Sequence, residues 1–383
     1  MKPIPYGKQF ISEEDINAVI TTLQSDFLTQ GPKIEEFEKK FAQYIGVKYA
    51  VAVSNGTAAL HLSAIALNVN EKSNVITTPI TFAASANCIR YCNGNVFFAD
   101  IASDSYLIDL NKVETLIRSK PKNFFAGIIP VDFAGRAINL EDYRTLADKY
   151  NLWILEDACH APGGYFKDSN STKQFCGNGK FAELAIFSFH PVKHIACGEG
   201  GMITTNDEKL YKRLLLLRTH GITKDPCRLQ ENHGGWYYEM QELGYNYRLS
   251  DINAALGISQ LKRANQGLRR RQMIAKKYDK AFEGTNIKLI KPTNSFKHAY
   301  HLYIIQVENR KGLYDCLRKY QIFSQVHYIP VPQQPYYKHR GYKPECYSHA
   351  NAYYEKCLSL PMYPTLTDKE QAFVISKVLE FIG

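Results

Sequence analysis

Between residues 49 and 218, short runs rich in β-branched and aromatic residues alternate with segments whose apolar residues recur at helical spacing, and few folds accept that pattern. The strand-like runs are Tyr49 to Ser54, Val75 to Thr78, Val96 to Ile101, Phe124 to Phe133, Leu152 to Glu156, Leu184 to Phe189 and Met202 to Thr205. Between them lie Thr57 to Leu67, Phe82 to Cys92, Lys112 to Ile117, Leu140 to Tyr150 and, last, Leu210 to Arg218, all helical in pattern. A helix that returns the chain between strands makes those strands parallel and covers both faces of the sheet. The expectation is an α/β fold with a mainly parallel central sheet and helices on both faces.

The flanking segments read differently. Ser12-Glu13-Glu14-Asp15 resembles a capping box, followed by Ile16, Val19, Ile20 and Leu23 at helical spacing; Ile34, Phe37 and Phe41 mark a second helix closed near Gly46. From Ser250 a helical stretch runs to about Phe282. Beyond it, His301 to Val307 and Ser324 to Val331 read as strands around the helix Gly312 to Tyr320, and Thr367-Asp368-Lys369-Glu370 caps a final helix through Phe381. The predicted division is a large α/β domain over residues 1–264, with the N-terminal helical segment, and a smaller C-terminal α+β domain over 265–383. Lys167 to Lys180 and Thr223 to Gly235 fit no element and read as loops.

Composition closes off several classes of function. At 383 residues and 45% hydrophobic content the chain can bury a core in each of two domains. No apolar run approaches the roughly eighteen residues of a membrane span, and the start, Met1 to Gly7, has no hydrophobic signal region, so a cytoplasmic location is expected. Nine cysteines without a CxxC pair support neither a disulfide framework nor zinc. The formal charge of +10 is modest for this length, and Arg269-Arg270-Arg271 reads as a solvated helix face. An anionic small substrate accounts for the excess as well as a nucleic acid would. Gly198-Glu199-Gly200-Gly201 has neither dinucleotide nor P-loop spacing, no G-x-S-x-G is present, and no histidine pair has metal-ligand spacing, so no metal is expected.

Chemistry concentrates where strands end. Lys193 lies between the apolar run Leu184 to Phe187 and a glycine cluster; Asp157 closes the run Leu152-Trp153-Ile154-Leu155-Glu156. A lysine that forms an imine and an acid that keeps a pyridine nitrogen protonated are the pair a pyridoxal phosphate (PLP) enzyme requires. Ser188 and the turn Ser54-Asn55-Gly56-Thr57-Ala58 supply small donors where strands give way to turns, the setting in which phosphates bind, so Gly56, Thr57, Ala58 and Ser188 are assigned to the phosphate. Phe82, just past Thr78-Pro79, offers a flat face for the ring. Open α/β sheets bind ligands at the carboxyl ends of their strands, and these candidates all fall there.

These motifs, with Phe27-Leu28-Thr29-Gln30-Gly31-Pro32, Glu156-Asp157-Ala158-Cys159-His160-Ala161, Phe187-Ser188-Phe189-His190-Pro191-Val192-Lys193 and Gly244-Tyr245-Asn246-Tyr247-Arg248-Leu249, resemble the sugar-nucleotide aminotransferases of the DegT/DnrJ/EryC1/StrS type. The resemblance implies PLP fold type I and a homodimer in which Asn246 of one subunit reaches the phosphate of the other. It makes Lys193 the imine lysine, Asp157 the pyridine partner, Phe82 the stacking ring and His160 a neighbour of the cofactor. Gln30, Arg248, His327 and Tyr328 fall to the substrate side. His190 to His194, Trp236 to Gln241 and Gln325 to Val331 look most like the pseudaminic acid branch of that family. That likeness implies amino transfer from L-glutamate to C4 of a UDP-linked 4-keto-6-deoxy-N-acetyl-hexosamine. Amination of another nucleotide-linked keto sugar, and a regulator that holds PLP without turnover, stay open. Lysine at 193 argues against the family's dehydrating branch, which has histidine there.

Overall fold

The computed structural model describes residues 2–290 and 295–383. Seven strands form the central sheet in the order Tyr49–Val53, Gly201–Thr205, Leu184–Ser188, Trp153–Asp157, Gly127–Ile129, Asn74–Thr77 and Asn95–Phe98. All run parallel except Gly201–Thr205, which is antiparallel to both neighbours. That exception has a local cause. The chain leaves Leu184–Ser188, turns through the Lys193 loop and re-enters the sheet beside the strand it left, with no helix to carry it back.

Successive residues of the strands serve opposite faces, and both faces are dry. Ile154 belongs to the core formed with the helices Pro32–Ile45, Leu140–Tyr150 and Asp251–Lys262, whereas Leu155 joins the core formed with Gly56–Ala66, Ala84–Tyr91 and Glu208–Leu217. Phe41 is fully buried against Phe187 and Phe189, with ring centroids 4.9 and 5.4 Å away. Each such ring contributes about 1.5–3 kcal/mol by leaving water. The alternation continues through the last two residues of the strand, so Glu156 faces the first core and Asp157 the second.

A third core joins the helices Ala264–Phe282, Arg310–Lys319 and Asp368–Ile382 to the strands Tyr303–Gln306 and Cys357–Leu360. Ile4 lies in this core, and Ile4–Pro5 pairs in parallel with Ile322–Phe323, so the chain begins against its C-terminal part. Several expectations need correction. The stretch from Ser250 is two helices, broken at Arg263, and Ser324 to Val331 is no strand beyond one bridge of Gln325 to Ser359. The partner of Tyr303–Gln306 is Cys357–Leu360, a run without a period-2 signal because it is buried on both sides.

The expected loops also differ. Within Lys167 to Lys180 the strands Tyr165–Lys167 and Lys173–Phe175 form a hairpin that packs away from the main cavity. Its turn is closed by Asp168, whose carboxylate accepts the N–H groups of Asn170 and Thr172, so polar residues do there what hydrophobic periodicity does elsewhere. Thr223 to Gly235 remains irregular beyond the short pairing of Ile222–Thr223 with Glu239–Met240.

Candidate active site

The carboxyl ends of Tyr49–Val53, Asn74–Thr77, Trp153–Asp157 and Leu184–Ser188 open onto one cavity of about 700 Å³. Gly56, Thr57, Ala58, Phe82, Asp157, His160, Ser188, Lys193, His327 and Tyr328 line it. Gln30, Asn246 and Arg248 do not; Gln30 and Asn246 are exposed on the surface of the chain.

Asp157 is buried at the end of its strand and opposite Ile186 of the neighbouring strand, which puts it beside the start of the Lys193 loop. Two donors orient its carboxylate: Ser85 Oγ at 2.7 Å on Oδ2 and the Cys159 N–H at 3.2 Å on Oδ1. Ser85 Oγ has spent its proton on Asp157, so the contact of 2.9 Å with Thr81 Oγ1 makes Thr81 the donor to Ser85. The loop that presents Lys193 is itself pinned, with Lys193 N–H on the His190 carbonyl, Cys197 N–H on Phe189 and Phe189 N–H on Gly200. Burial lowers the pKa of Lys193, against the opposing pull of Cys159 and Asp157. Among the described residues its Nζ has no hydrogen-bond or ion-pair partner, which leaves it free to react.

The helix Gly56–Ala66 starts at the same cavity, close to Ser188. Asn55 caps it by accepting the Ala58 N–H at 2.8 Å, and among the described residues no protein acceptor takes the N–H of Gly56 or Thr57. A Cβ at Gly56 would stand 3.0 Å from Ser188 Cβ, and one at Gly201 would stand 2.4 Å from the Asn55 carbonyl, so both glycines permit the close approach of helix start and strand ends. Free amides at a helix start, beside a hydroxyl, form a seat for phosphate. Phe82 is 62% exposed although it sits in a cavity, a large apolar face without a protein partner covering it. Seat, flat face, acid and amine together match the shape and charge of PLP.

Three buried histidines at this site, His160, His301 and His327, are held toward the neutral form. His160 accepts the Ala134 N–H on Nδ1 at 3.2 Å, which leaves its proton on Nε2, 3.4 Å from the Tyr328 hydroxyl. Burial, with Lys193 nearby, holds its pKa well below the usual imidazole range; burial does the same for His301, and brings His327 down to about 3. His160 therefore donates from Nε2 rather than carrying charge.

Sequence reasoning missed Tyr6, Thr81, Ser85, Cys159, Glu199 and His301 as members of the lining. Cys159 and Glu199 fall inside motifs named above, and Thr81 directly precedes Phe82; Ser85 and His301 carry no local signal, being 72 and 141 residues from the strand end at Asp157 and His160 that they serve. Behind Asp157, on the other face of the strand, ligand atoms of Asp132, Glu156 and Cys176 lie within 4.8 Å of one another, all buried. Burial pushes the Asp132 carboxyl up to about 6, and burial together with Asp132 raises Glu156. Glu156 also accepts the Gly177 N–H at 3.0 Å, which ties the hairpin to the sheet. No described helix is long and apolar enough to cross a membrane.

Comparison with known proteins agrees with this geometry. The profile of the DegT/DnrJ/EryC1/StrS aminotransferase family matches residues 9–379. The spore coat polysaccharide biosynthesis protein SpsC of Bacillus subtilis is 37% identical over 99% of this chain and 97% of its own. The UDP-4-amino-4,6-dideoxy-N-acetyl-beta-L-altrosamine transaminase of Campylobacter jejuni is 38% identical over 97% of this chain and 95% of its own. The sugar aminotransferase Spr1654 of Streptococcus pneumoniae, solved in a PLP form, superposes with a TM-score of 0.89 at 30% identity over the whole of both chains. The same protein has also been solved in a PMP form.

Proposed function

The chain belongs to the DegT/DnrJ/EryC1/StrS aminotransferase family, PLP-dependent enzymes acting on nucleotide sugars, and from that premise we propose that it moves the amino group of L-glutamate to C4 of a UDP-linked 4-keto-6-deoxy-N-acetyl-hexosamine. The observation that carries the reading is the meeting of Lys193, Asp157 and the bare face of Phe82 in one cavity, in a chain 38% identical to the Campylobacter transaminase. When bound, PLP supplies an aldehyde that captures amines and a ring that draws electrons from the carbon next to the captured nitrogen.

The chain supplies the rest. Lys193 Nζ would hold the cofactor and, when free of it, could take up and return a proton beside it. Asp157, its carboxylate held in place by Ser85 and Cys159, would keep the pyridine nitrogen protonated. Phe82 would cover one face of the ring. The amides of Gly56 and Thr57 with Ser188 Oγ would hold the phosphate, next to Ala58, whose N–H is already bonded to Asn55. His160 and Tyr328, linked through Nε2 and the hydroxyl, border the substrate side with His327.

Assayed against UDP-, dTDP- and GDP-linked 4-keto-6-deoxy sugars, the purified enzyme should aminate the UDP-linked N-acetyl-hexosamine fastest and release 2-oxoglutarate from L-glutamate, with mass and NMR analysis placing the new amine at C4. Faster amination of another nucleotide sugar, or of a C3-keto isomer, would move the enzyme to another branch. Imine formation with glutamate but no transfer to any keto sugar would favour a regulator.

A homodimer with shared sites completes the reading. The Gln30 and Asn246–Arg248 segments are neighbours: Asp251 accepts the N–H groups of Gly31 and Lys33 at 2.8 and 2.9 Å, and Thr29 bridges to Ser250. Phe27, Leu28 and Leu243 stand 52%, 47% and 74% exposed in these same segments, an apolar surface suited to a second copy. In this arrangement Asn246 reaches the partner's phosphate, and Gln30 and Arg248 reach its substrate. Mixing the inactive Lys193→Ala chain with the weakened Asn246→Ala chain should restore activity, because one site of each mixed dimer then holds both native residues. Failure to restore it would return Asn246 to its own subunit.

A further inference from the structure

We infer that a second cavity, of about 260 Å³, is a binding site for a small phosphate-type oxyanion that ties the N-terminal segment to the Lys193 loop and to the C-terminal part of the chain. The site is separate from the chemistry and stands whichever keto sugar the enzyme aminates.

Besides Lys193, four cations line this cavity, Lys8, Arg263, Arg270 and Arg271, with no aspartate or glutamate among its lining residues. Arg263 and Arg270 find carboxylates outside it, Arg263 on Asp15 and Arg270 on Asp368 at 3.0 Å. Lys8, exposed at the rim, and Arg271 have no ion pair among the described residues. Arg271 is 1% exposed; its Nη1 donates to the carbonyls of Tyr300, His301 and Met362, and its Nε is buried without an acceptor. Burial lowers its pKa only to about 10, so it is charged at neutral pH. Carbonyls solvate a guanidinium without neutralising it, and a buried charge that lacks a counter-charge is costly. Arg263 also leaves Nε and Nη1 buried without acceptors.

An oxyanion supplies what water cannot, acceptor oxygens together with negative charge. Two uncompensated cations match a dianion. They belong to different segments, Lys8 to the N-terminal run and Arg271 to the helix Ala264–Phe282, and an ion with four oxygens serves donors spread in this way better than a carboxylate with two. The consequence follows from shared walls. Tyr6 lines the main cavity, Lys8 to Phe10 line the second, and the second is also bordered by His194 and Ala196 of the Lys193 loop and by Pro364 and Thr365. An anion gripped by Lys8 and Arg271 fixes the segment from Tyr6 to Phe10 against that loop, and it needs no passage to the reacting atoms to do so.

The test uses holoenzyme, in which the cofactor's own phosphate fills the seat at Gly56 and Ser188, at an ionic strength held constant with chloride. Inorganic phosphate should raise the melting temperature saturably, bind at one site per chain by calorimetry, and slow hydrogen exchange over residues 6–10. Lys8→Gln and Arg270→Gln, which leave the buried Arg271 intact, should each weaken phosphate binding about tenfold, and together more, as expected for the loss of a charge-assisted contact. Both variants should keep the fold and the visible band of the cofactor, and Lys8→Arg should bind as the wild type does. UDP separates the sources of the oxyanion: displacement of phosphate by UDP, lost in the double variant, would identify the ligand as a nucleotide's phosphate, and UDP that binds without displacing it would leave the free ion as the ligand. Absence of saturable phosphate binding in the wild type, or unchanged affinity in the folded double variant, would overturn the inference. So would phosphate binding that falls with Arg248→Gln instead, which would place the ion in the main cavity that a second copy completes.

Discussion

Lys193→Ala should lose the visible absorption of the lysine-bound cofactor and at least about a thousandfold in turnover, the range set by removing a nucleophile that is also the proton carrier. Among the described residues no other lysine lines the main cavity, so none of them can take over. The fold should survive the change. Among the described residues the side chain makes no hydrogen bond or ion pair, and burial already disfavours its charge, so removing it relieves a cost rather than breaking a contact. Circular dichroism and an unchanged or raised melting temperature would separate this from unfolding. PLP should still bind without the covalent link, because the helix start, Ser188, Phe82 and Asp157 are untouched. A folded variant that keeps a tenth of wild-type turnover would remove Lys193 from the chemistry.

Asp157→Asn should keep the cofactor and lose between about ten- and a thousandfold in turnover. An opposite charge within reach raises the pKa of a cationic partner by about one to three units, and that span is the drop expected in the protonated fraction of the ring. Asparagine keeps the volume, and its Oδ1 can accept from Ser85 or from the Cys159 N–H, so the packing is preserved while the charge goes. The informative readout is spectroscopic. The absorption of the bound cofactor should respond to pH in the variant over a range where the wild type does not, because the ring nitrogen is then free to titrate. Equal turnover in the two proteins would mean that the carboxylate plays a structural part only, with the ring nitrogen protonated by other means or not at all.

Reading order also matters for what was legible. The strands of the central sheet were visible as apolar runs because both faces are buried, and the helices between them as period-3.6 patterns. Lys193, Asp157, Ser188, Gly56 and Phe82 were legible because strand ends in a parallel sheet converge by topology, wherever in the sequence they lie. Cys357–Leu360 escaped because a short buried run has no period of its own. The hairpin at 165–175 escaped because its turn is built from polar residues, and the break at Arg263 because a helical pattern can continue in register across a single non-helical residue.

Composition and pattern by themselves determined the α/β class and brought the candidate amine and acid to one cavity at the strand ends, since both follow from local spacing and from the geometry that every parallel sheet shares. Only the tertiary structure decided which side chains support them. Ser85 orients Asp157 from 72 residues away, and burial pushes His160 toward its neutral form. Orientation, protonation and counter-charge depend on what surrounds a group in space, and chain order carries no record of that until the chain has packed.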